Sequence, residues 1–354
     1  MNSPAFEPGT QFYLPELARH IPVRCHPQVD DIIAKSNKWV RSHFGFAIPD
    51  RAAMDAFCAD GYALWTSLLF PTLADDRTVD IADWTQYFFL FDNVCSGAGH
   101  LARRADGARE LFSAITAVME GRKIPTDYIY VAPFEELWSR IAVRMPPRQR
   151  DRFAASVACF VDGCFSEVRS RAEGRVLDYE TYMATRRNSA GGKMYFVLVE
   201  YGLNVDLTDD LPGPLPGAGA LGELIGTTLD YLILTNDLFS FREECAKNDY
   251  VNSVPALIVQ DGLDLQGAID KVCEVADDYE RKFLAQRTAI LESPLGCRSD
   301  VQAYVDGLGW MMSGNLHWSY LTPRYHGAGH VWNGATSGRV TLHPDRTVFE
   351  PAHR

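Results

Sequence analysis

The sequence predicts an all-α fold, one domain of ten or more helices packed as a bundle. Apolar residues recur three and four positions apart along most of the 354 residues, the period of a helix that buries one face. Alternating strand-like runs joined by Asn-Gly or Asp-Gly turns are missing. Proline and glycine clusters, PPR at 146–148 and LPGPLPGAGA at 211–220, punctuate the periodic stretches without forming an interdomain linker.

Taken in chain order, residues 1–28 are proline-rich and form an N-terminal arm. The first helix opens at 29 with VDDIIAKSNKWVRSHF. Helical stretches follow at 52–70, 81–95, 108–120, 132–144, 148–170, 178–203, 219–246, 252–260, 264–293 and 298–321. Together, 29–325 make up the predicted helical domain. From 326 to 354 the period is lost, which predicts a tail of loop or disorder.

Composition narrows the function. Hydrophobic residues make up 47%, enough for a large core, and the net charge is −12. That charge opposes nucleic acid or an anionic membrane as the main partner, because both are polyanions. No apolar run reaches the ~18 residues of a membrane span, so no stable membrane insertion is expected. The opening MNSPAFEPGTQF has neither the basic start nor the apolar stretch of a secretory signal. Eight scattered cysteines form no CxxC and predict buried thiols in a reducing, cytoplasmic compartment.

One stretch carries chemistry. NDLFSFREE, at 236–244, follows the apolar run LDYLILT. A helix turns about 100° per residue, so Asn236, Ser240 and Glu244 share one face over two turns, and Lys247 continues it. An amide carbonyl, a hydroxyl and a carboxylate are hard oxygen donors suited to Mg²⁺. A polar stripe on a helix this apolar needs partners.

This stretch matches, at every defined position, the NDxxSxxxE metal motif of class I terpene synthases. The resemblance runs from LPEL at 14 to RYHG at 326. It implies a single-domain class I terpenoid synthase bundle around a central apolar cavity. It also implies a second, aspartate-rich metal motif upstream. DDRTVD at 75–80 fits the pattern by composition but stands before the relevant helix. Asp75 and Asp76 are therefore expected to cap that helix or face water. The expected motif is FFLFDNVCS, where Asp92 ends an aromatic helix stripe and only the first aspartate of the family pattern remains. Asn93 and Ser96 depart from it.

The resemblance places further residues. RRNSAGG at 186–192 is similar to the segment where an arginine senses pyrophosphate beside a helix break. Arg186 aligns best and Arg187 second, with Ser189 and Ala190 at the linker and effector positions; the effector carbonyl points into the pocket. Arg324-Tyr325 resembles the C-terminal pair that binds diphosphate on closure. Arginine suits multi-point phosphate contact and tyrosine adds one donor. The family more often has a basic residue just before the motif glutamate. Here Glu243 stands there, leaving Lys247 or Arg242 as a substitute.

The resemblance implies that Asp92, Asn236, Ser240 and Glu244 hold three Mg²⁺ ions, with Arg186, Lys247, Arg324 and Tyr325 on the diphosphate. Trp65, Phe88, Phe89, Ala190, Trp310, Asn315 and Trp318 are expected to face the hydrocarbon. The implied reaction is ionisation and cyclisation of a prenyl diphosphate, farnesyl diphosphate by chain size and motif position. The product is a sesquiterpene hydrocarbon or alcohol. Alternatives are a diterpene synthase using geranylgeranyl diphosphate and a non-catalytic helical scaffold with a degenerate metal site. Two aspartate-rich motifs would mark a prenyltransferase, and the second is absent. A homodimer is compatible with the family.

Overall fold

The structure, a computed structural model, describes residues 6–95, 99–124, 130–343 and 346–351. Ser96 lies outside them. Helices dominate: α1 (Val29–His43), α2 (Arg51–Ala59), α3 (Tyr62–Leu69), α4 (Asp75–Cys95), α5 (Ala105–Met119), α6 (Val131–Ala142) and α7 (Pro147–Glu173). They continue with α8 (Tyr179–Ser189), α9 (Gly192–Leu203), α10 (Gly219–Ala246), α11 (Ser253–Asp261), α12 (Leu265–Leu291), α13 (Ser299–Leu321) and the short α14 (Pro323–His326).

Two stretches that read as single helices are broken. The 52–70 stretch divides between α2 and α3, and 178–203 between α8 and α9. Each break falls on a glycine in the left-handed region, Gly61 at φ 77° and Gly191 at φ 75°, where a side chain would be strained. The second break was expected from the small residues around 190; the first was not.

The central helices are α4 and α10. Both are buried along most of their length, with acidic side chains such as Asp83 and Asp237 among the buried residues. Helix α10 packs along α12 and α13, and α3 lies across α4 and α13. The C-terminal halves of α4 and α10 line the same cavity, which sets up the site. No helix among the described residues is long and apolar enough to cross a membrane. All eight cysteines are free, but Cys25 and Cys297 are exposed, contrary to the expectation of buried thiols.

The tail differs from the expectation of loop or disorder. Strands β1 (Gln11–Leu14), β2 (Gly338–Leu342) and β3 (Thr347–Pro351) form an antiparallel sheet in that order. Gln11 pairs with Thr341 and Leu14 with Gly338. Phe12 and Leu14 point inward, and Phe12 meets the Phe241 ring of α10 edge-on, 6.2 Å between centroids. The arm and the tail are each too short to bury an apolar face alone; pairing gives both a partner.

Candidate active site

Asp92 lies in the last turn of α4, and Asn236, Ser240 and Glu244 lie in the last three turns of α10. All four line one cavity, which encloses about 1230 Å³ of empty space, counting the part open to solvent. The two helix ends therefore face each other across a shared mouth. DDRTVD sits at the opposite end of α4. There Asp76 is tied to Arg144, Asp80 accepts from Arg140 at 2.7 Å, and Asp83 accepts from Arg140 at 2.8 Å. Asp75 is mostly exposed, 3.7 Å from His26. None of these aspartates reaches the cavity.

Neighbouring residues of α14 bridge the two helices. Arg324 donates to Asp92 Oδ2 at 2.7 Å and to Asn93 Oδ1 at 2.7 Å. Asn236 donates through Nδ2 to the Tyr325 hydroxyl at 2.5 Å. One dipeptide thus holds both sets of oxygen donors. Arg242 underpins it: its Nε donates to the Tyr325 carbonyl at 2.8 Å, so Arg242 faces away from the cavity and supports α14 instead of meeting diphosphate.

Arg186 comes from the last turn of α8. It donates to Asn236 Oδ1 at 2.9 Å and to Glu167 Oε1 at 3.2 Å. Burial works against its charge, but Glu167 and other nearby acidic groups outweigh that, and its pKa lies well above the usual value. Arg187 points outward, paired with Asp230 at 2.7 and 3.0 Å, which leaves Arg186 as the arginine of the pair in the cavity. Ser189 donates to Glu167, and Ala190 and Gly191 line the wall beside it.

Sequence reasoning missed a second charged layer. Arg171 lines the cavity, donating to Glu167 Oε2 at 2.9 Å and Asp249 Oδ2 at 2.8 Å. Glu167 and Arg171 stand four residues apart on α7, a spacing that in sequence looks like any solvated pair. Both side chains are 6% exposed. Glu244 is likewise inside: burial, with Asp249 and Asp237 nearby, pushes its carboxyl well above the usual range. Asn252 Nδ2 donates to Glu244 Oε2 at 2.8 Å and to the Asp237 carbonyl at 2.8 Å. Asp237 itself points away from the mouth, accepting from Tyr182 at 2.6 Å and from the Ser253 backbone N–H at 2.9 Å.

The donor set fits a divalent cation. No group of three or more His, Cys, Asp or Glu side chains arranged for a metal occurs among the described residues. The α10 set is instead mixed: amide, hydroxyl and carboxylate. The Ser240 hydroxyl is buried with no hydrogen-bond partner, an arrangement that costs free energy unless something fills it. Asn236 Oδ1 accepts one hydrogen bond from Arg186 and keeps a second lone pair. Buried carboxylates gathered around Glu244 also favour a cation.

Beneath this layer the walls are apolar and aromatic. Trp65, Phe88, Phe89, Trp318 and Asn315 line the cavity as expected, and Phe160 and Tyr195 join them unforeseen. Polar atoms in the wall are turned on each other. Trp65 Nε1 donates to Asn315 Oδ1 at 2.9 Å, Asn315 Nδ2 to Thr235 at 3.1 Å, and Tyr195 to Thr85 at 3.2 Å. Asn315 therefore fixes the Trp65 ring and offers little to a ligand.

Two expected residues are elsewhere. Trp310 is not in the wall; Met311, Asn315 and Trp318 hold the inner face of α13, and Trp310 is rotated about 100° from Met311, under Arg24 at 5.1 Å. Lys247 does not line the main cavity and is paired with Glu243, which does. Helix α10 ends at Ala246, and Lys247 is its cap with φ −96° and ψ 4°, so the four-residue register stops one residue short of it.

Comparison with known proteins places the chain in a family. Residues 83–282 match the family model "Terpene synthase family 2, C-terminal metal binding". The chain is 32% identical over 311 residues to Microbial Terpene synthase-like protein 13 of Selaginella moellendorffii, covering 86% of this chain and 84% of that one. It is 27% identical over 328 residues to Sesquiterpene synthase 1 of Postia placenta, covering 92% and 94%. Germacradien-4-ol synthase from Streptomyces citricolor shares the fold, with a TM-score of 0.74 at 21% identity, covering 86% and 98%. The chain belongs to terpene synthase family 2. It is a carbon–oxygen lyase acting on a prenyl diphosphate, dependent on a divalent metal.

Proposed function

We propose that the substrate is farnesyl diphosphate and that three Mg²⁺ ions serve its ionisation, yielding a cyclic sesquiterpene hydrocarbon or alcohol and diphosphate. The carrying observation is the layering of one cavity. Oxygen donors and arginines ring the mouth, and aromatic rings line the interior. The sesquiterpene reading draws further support from the name of the Postia placenta relative.

Asp92, Asn236, Ser240 and Glu244 would hold the metal, which when bound supplies Lewis-acid neutralisation of charge building on the leaving diphosphate. Arg186, Arg324 and Tyr325 are donors set around the mouth before reaction. Each such donor contributes on the order of 3 kcal/mol in a site shielded from water. Glu167 and the Arg171–Asp249 pair hold Arg186 and the neighbouring wall in place. The Trp65, Phe89 and Trp318 faces attract the allylic cation. Closed side-chain hydrogen bonds in the wall leave no exposed nucleophile at Trp65 or Asn315, and the apolar lining excludes water that would quench the cation early.

Incubation with farnesyl diphosphate and Mg²⁺, followed by gas chromatography and mass spectrometry, tests the proposal. A C15 hydrocarbon or alcohol supports it. Product from geranylgeranyl diphosphate alone makes the protein a diterpene synthase, and silence with every prenyl diphosphate returns the scaffold reading.

A further inference from the structure

We propose that the α2–α3 corner, through Asp60 and Tyr62, is a positioning element for Arg324. On this view diphosphate affinity depends on a carboxyl and a phenol outside the cavity. The inference rests on the reading that Arg324 binds diphosphate.

Tyr62 is wholly buried and does not line the cavity. Its hydroxyl donates to Asp60 Oδ2 at 2.8 Å and accepts from Arg324 Nη1 at 3.1 Å. A phenol that donates to a carboxylate becomes a better acceptor, because the two hydrogen bonds polarise one another. The Tyr62 ring stacks on Phe89, centroids 4.2 Å apart and planes 19° apart. The Arg324 guanidinium carbon lies 5.1 Å from the Phe89 centroid and 5.9 Å from that of Tyr62. The backbone of the same corner holds the segment before Arg324. Thr322 Oγ1 donates to the Asp60 carbonyl at 2.7 Å, and Trp318 Nε1 to the Gly61 carbonyl at 2.9 Å. Three consecutive residues, 60 to 62, thus grip residues 318, 322 and 324.

The other two acceptors of Arg324, Asp92 and Asn93, are on α4. Asp92 is assigned to metal, so its hold on Arg324 weakens when the site loads. The Tyr62 hydroxyl has no such second duty, which makes it the contact that persists and aims the guanidinium at an incoming diphosphate.

Tyr62→Phe removes one oxygen and keeps the ring. A hydrogen bond to a charged group corresponds to roughly a ten-fold effect. Titration with inorganic diphosphate in Mg²⁺ should show Kd rising about ten-fold and kcat/KM falling comparably, with melting temperature lowered by several degrees at most. In an Arg324→Gln background the same substitution should change Kd by less than about two-fold. An equal effect in both backgrounds, or none in the wild type, overturns the proposal. Should Arg324→Gln alone leave diphosphate affinity intact, Arg324 is no diphosphate ligand and both readings fall. If Tyr62→Phe does not fold, Asp60→Asn carries the test, with an expected Kd increase of about three-fold that disappears with Arg324→Gln.

Discussion

Asp92→Asn and Asp76→Asn exchange the same atoms at the two ends of α4, sixteen residues and about 24 Å apart. Their effects should diverge. The Asp92 side chain is 42% exposed and its ion pair with Arg324 is 2.7 Å long. Arg324 is only 10% exposed, but asparagine keeps a side-chain oxygen that accepts from it, so melting temperature should drop by at most a few degrees. Turnover should fall at least 100-fold, since the substitution removes the carboxylate proposed above to hold metal opposite α10. At 1.36 kcal/mol per decade that is about 2.7 kcal/mol or more of lost transition-state stabilisation. Asp76 is 65% exposed and paired with Arg144. Its substitution should cost about as little stability and change turnover by less than about two-fold, a limit set by its distance from the chemistry. Product formation from farnesyl diphosphate, with differential scanning fluorimetry on both variants, gives the comparison. A larger activity loss at Asp76, or equal losses, would refute the assignment of the α4 C-terminus to the metal.

Asn236→Ala and Glu244→Ala should each abolish product formation while the circular dichroism spectrum stays helical; either variant retaining activity removes that side chain from the metal set. Lys247→Ala should leave KM within about two-fold, because a partly exposed pair with Glu243 is worth little; a ten-fold rise would return Lys247 to the diphosphate. His326 should make stability pH-sensitive. Its Nε2 is 2.8 Å from the Ser319 carbonyl, and burial, followed by the neighbouring His330, holds its pKa down to about 4. The unfolded chain takes up the proton first, near 6.5. Stability present above 6.5 is therefore lost as pH falls through 4, by about 3 kcal/mol. Thermal melts from pH 7.5 to 4 should show a shallower decline in His326→Phe than in the native chain, and parallel curves would exclude this group.

What could be read from the sequence was periodic or local. Asn236, Ser240 and Glu244 needed only the angle of a helix, and the apolar run before them announced burial. Asp92 was separable from Asp75 and Asp76 because an aromatic stripe precedes it. Lys247 was misplaced because the spacing argument continued past the point where α10 ends. Trp310 was misplaced because the consecutive Trp310, Met311 and Met312 in the middle of α13 do not reveal which of them turns toward the cavity. Glu167 and Arg171 were overlooked for the opposite reason: their spacing was visible, but their burial depends on α8 and the Asp249 loop packing over α7. The sheet was hidden because Gln11 pairs with Thr341, a register no local pattern encodes. Tyr62 belongs with these, since its phenol acquires meaning only when α14 arrives beside it.

The adjacency of Arg324 and Tyr325 has a mechanical consequence. One residue contacts the α4 donors and the next contacts the α10 donors, so neither helix end can shift toward a shared ligand without moving the same short helix. Arg242 fixes that helix from α10 through the Tyr325 carbonyl, while Thr322 and Trp318 fix the approach to it from the α2–α3 corner. A charge placed between Asp92 and Asn236 would compete with Arg324 for Asp92 and with Arg186 for Asn236 Oδ1. The guanidinium groups so freed both line the cavity, where the proposed diphosphate would accept from both. On the proposed assignment metal and diphosphate would therefore be coupled through the same side chains, and whatever one binding does to the affinity of the other is returned in equal measure.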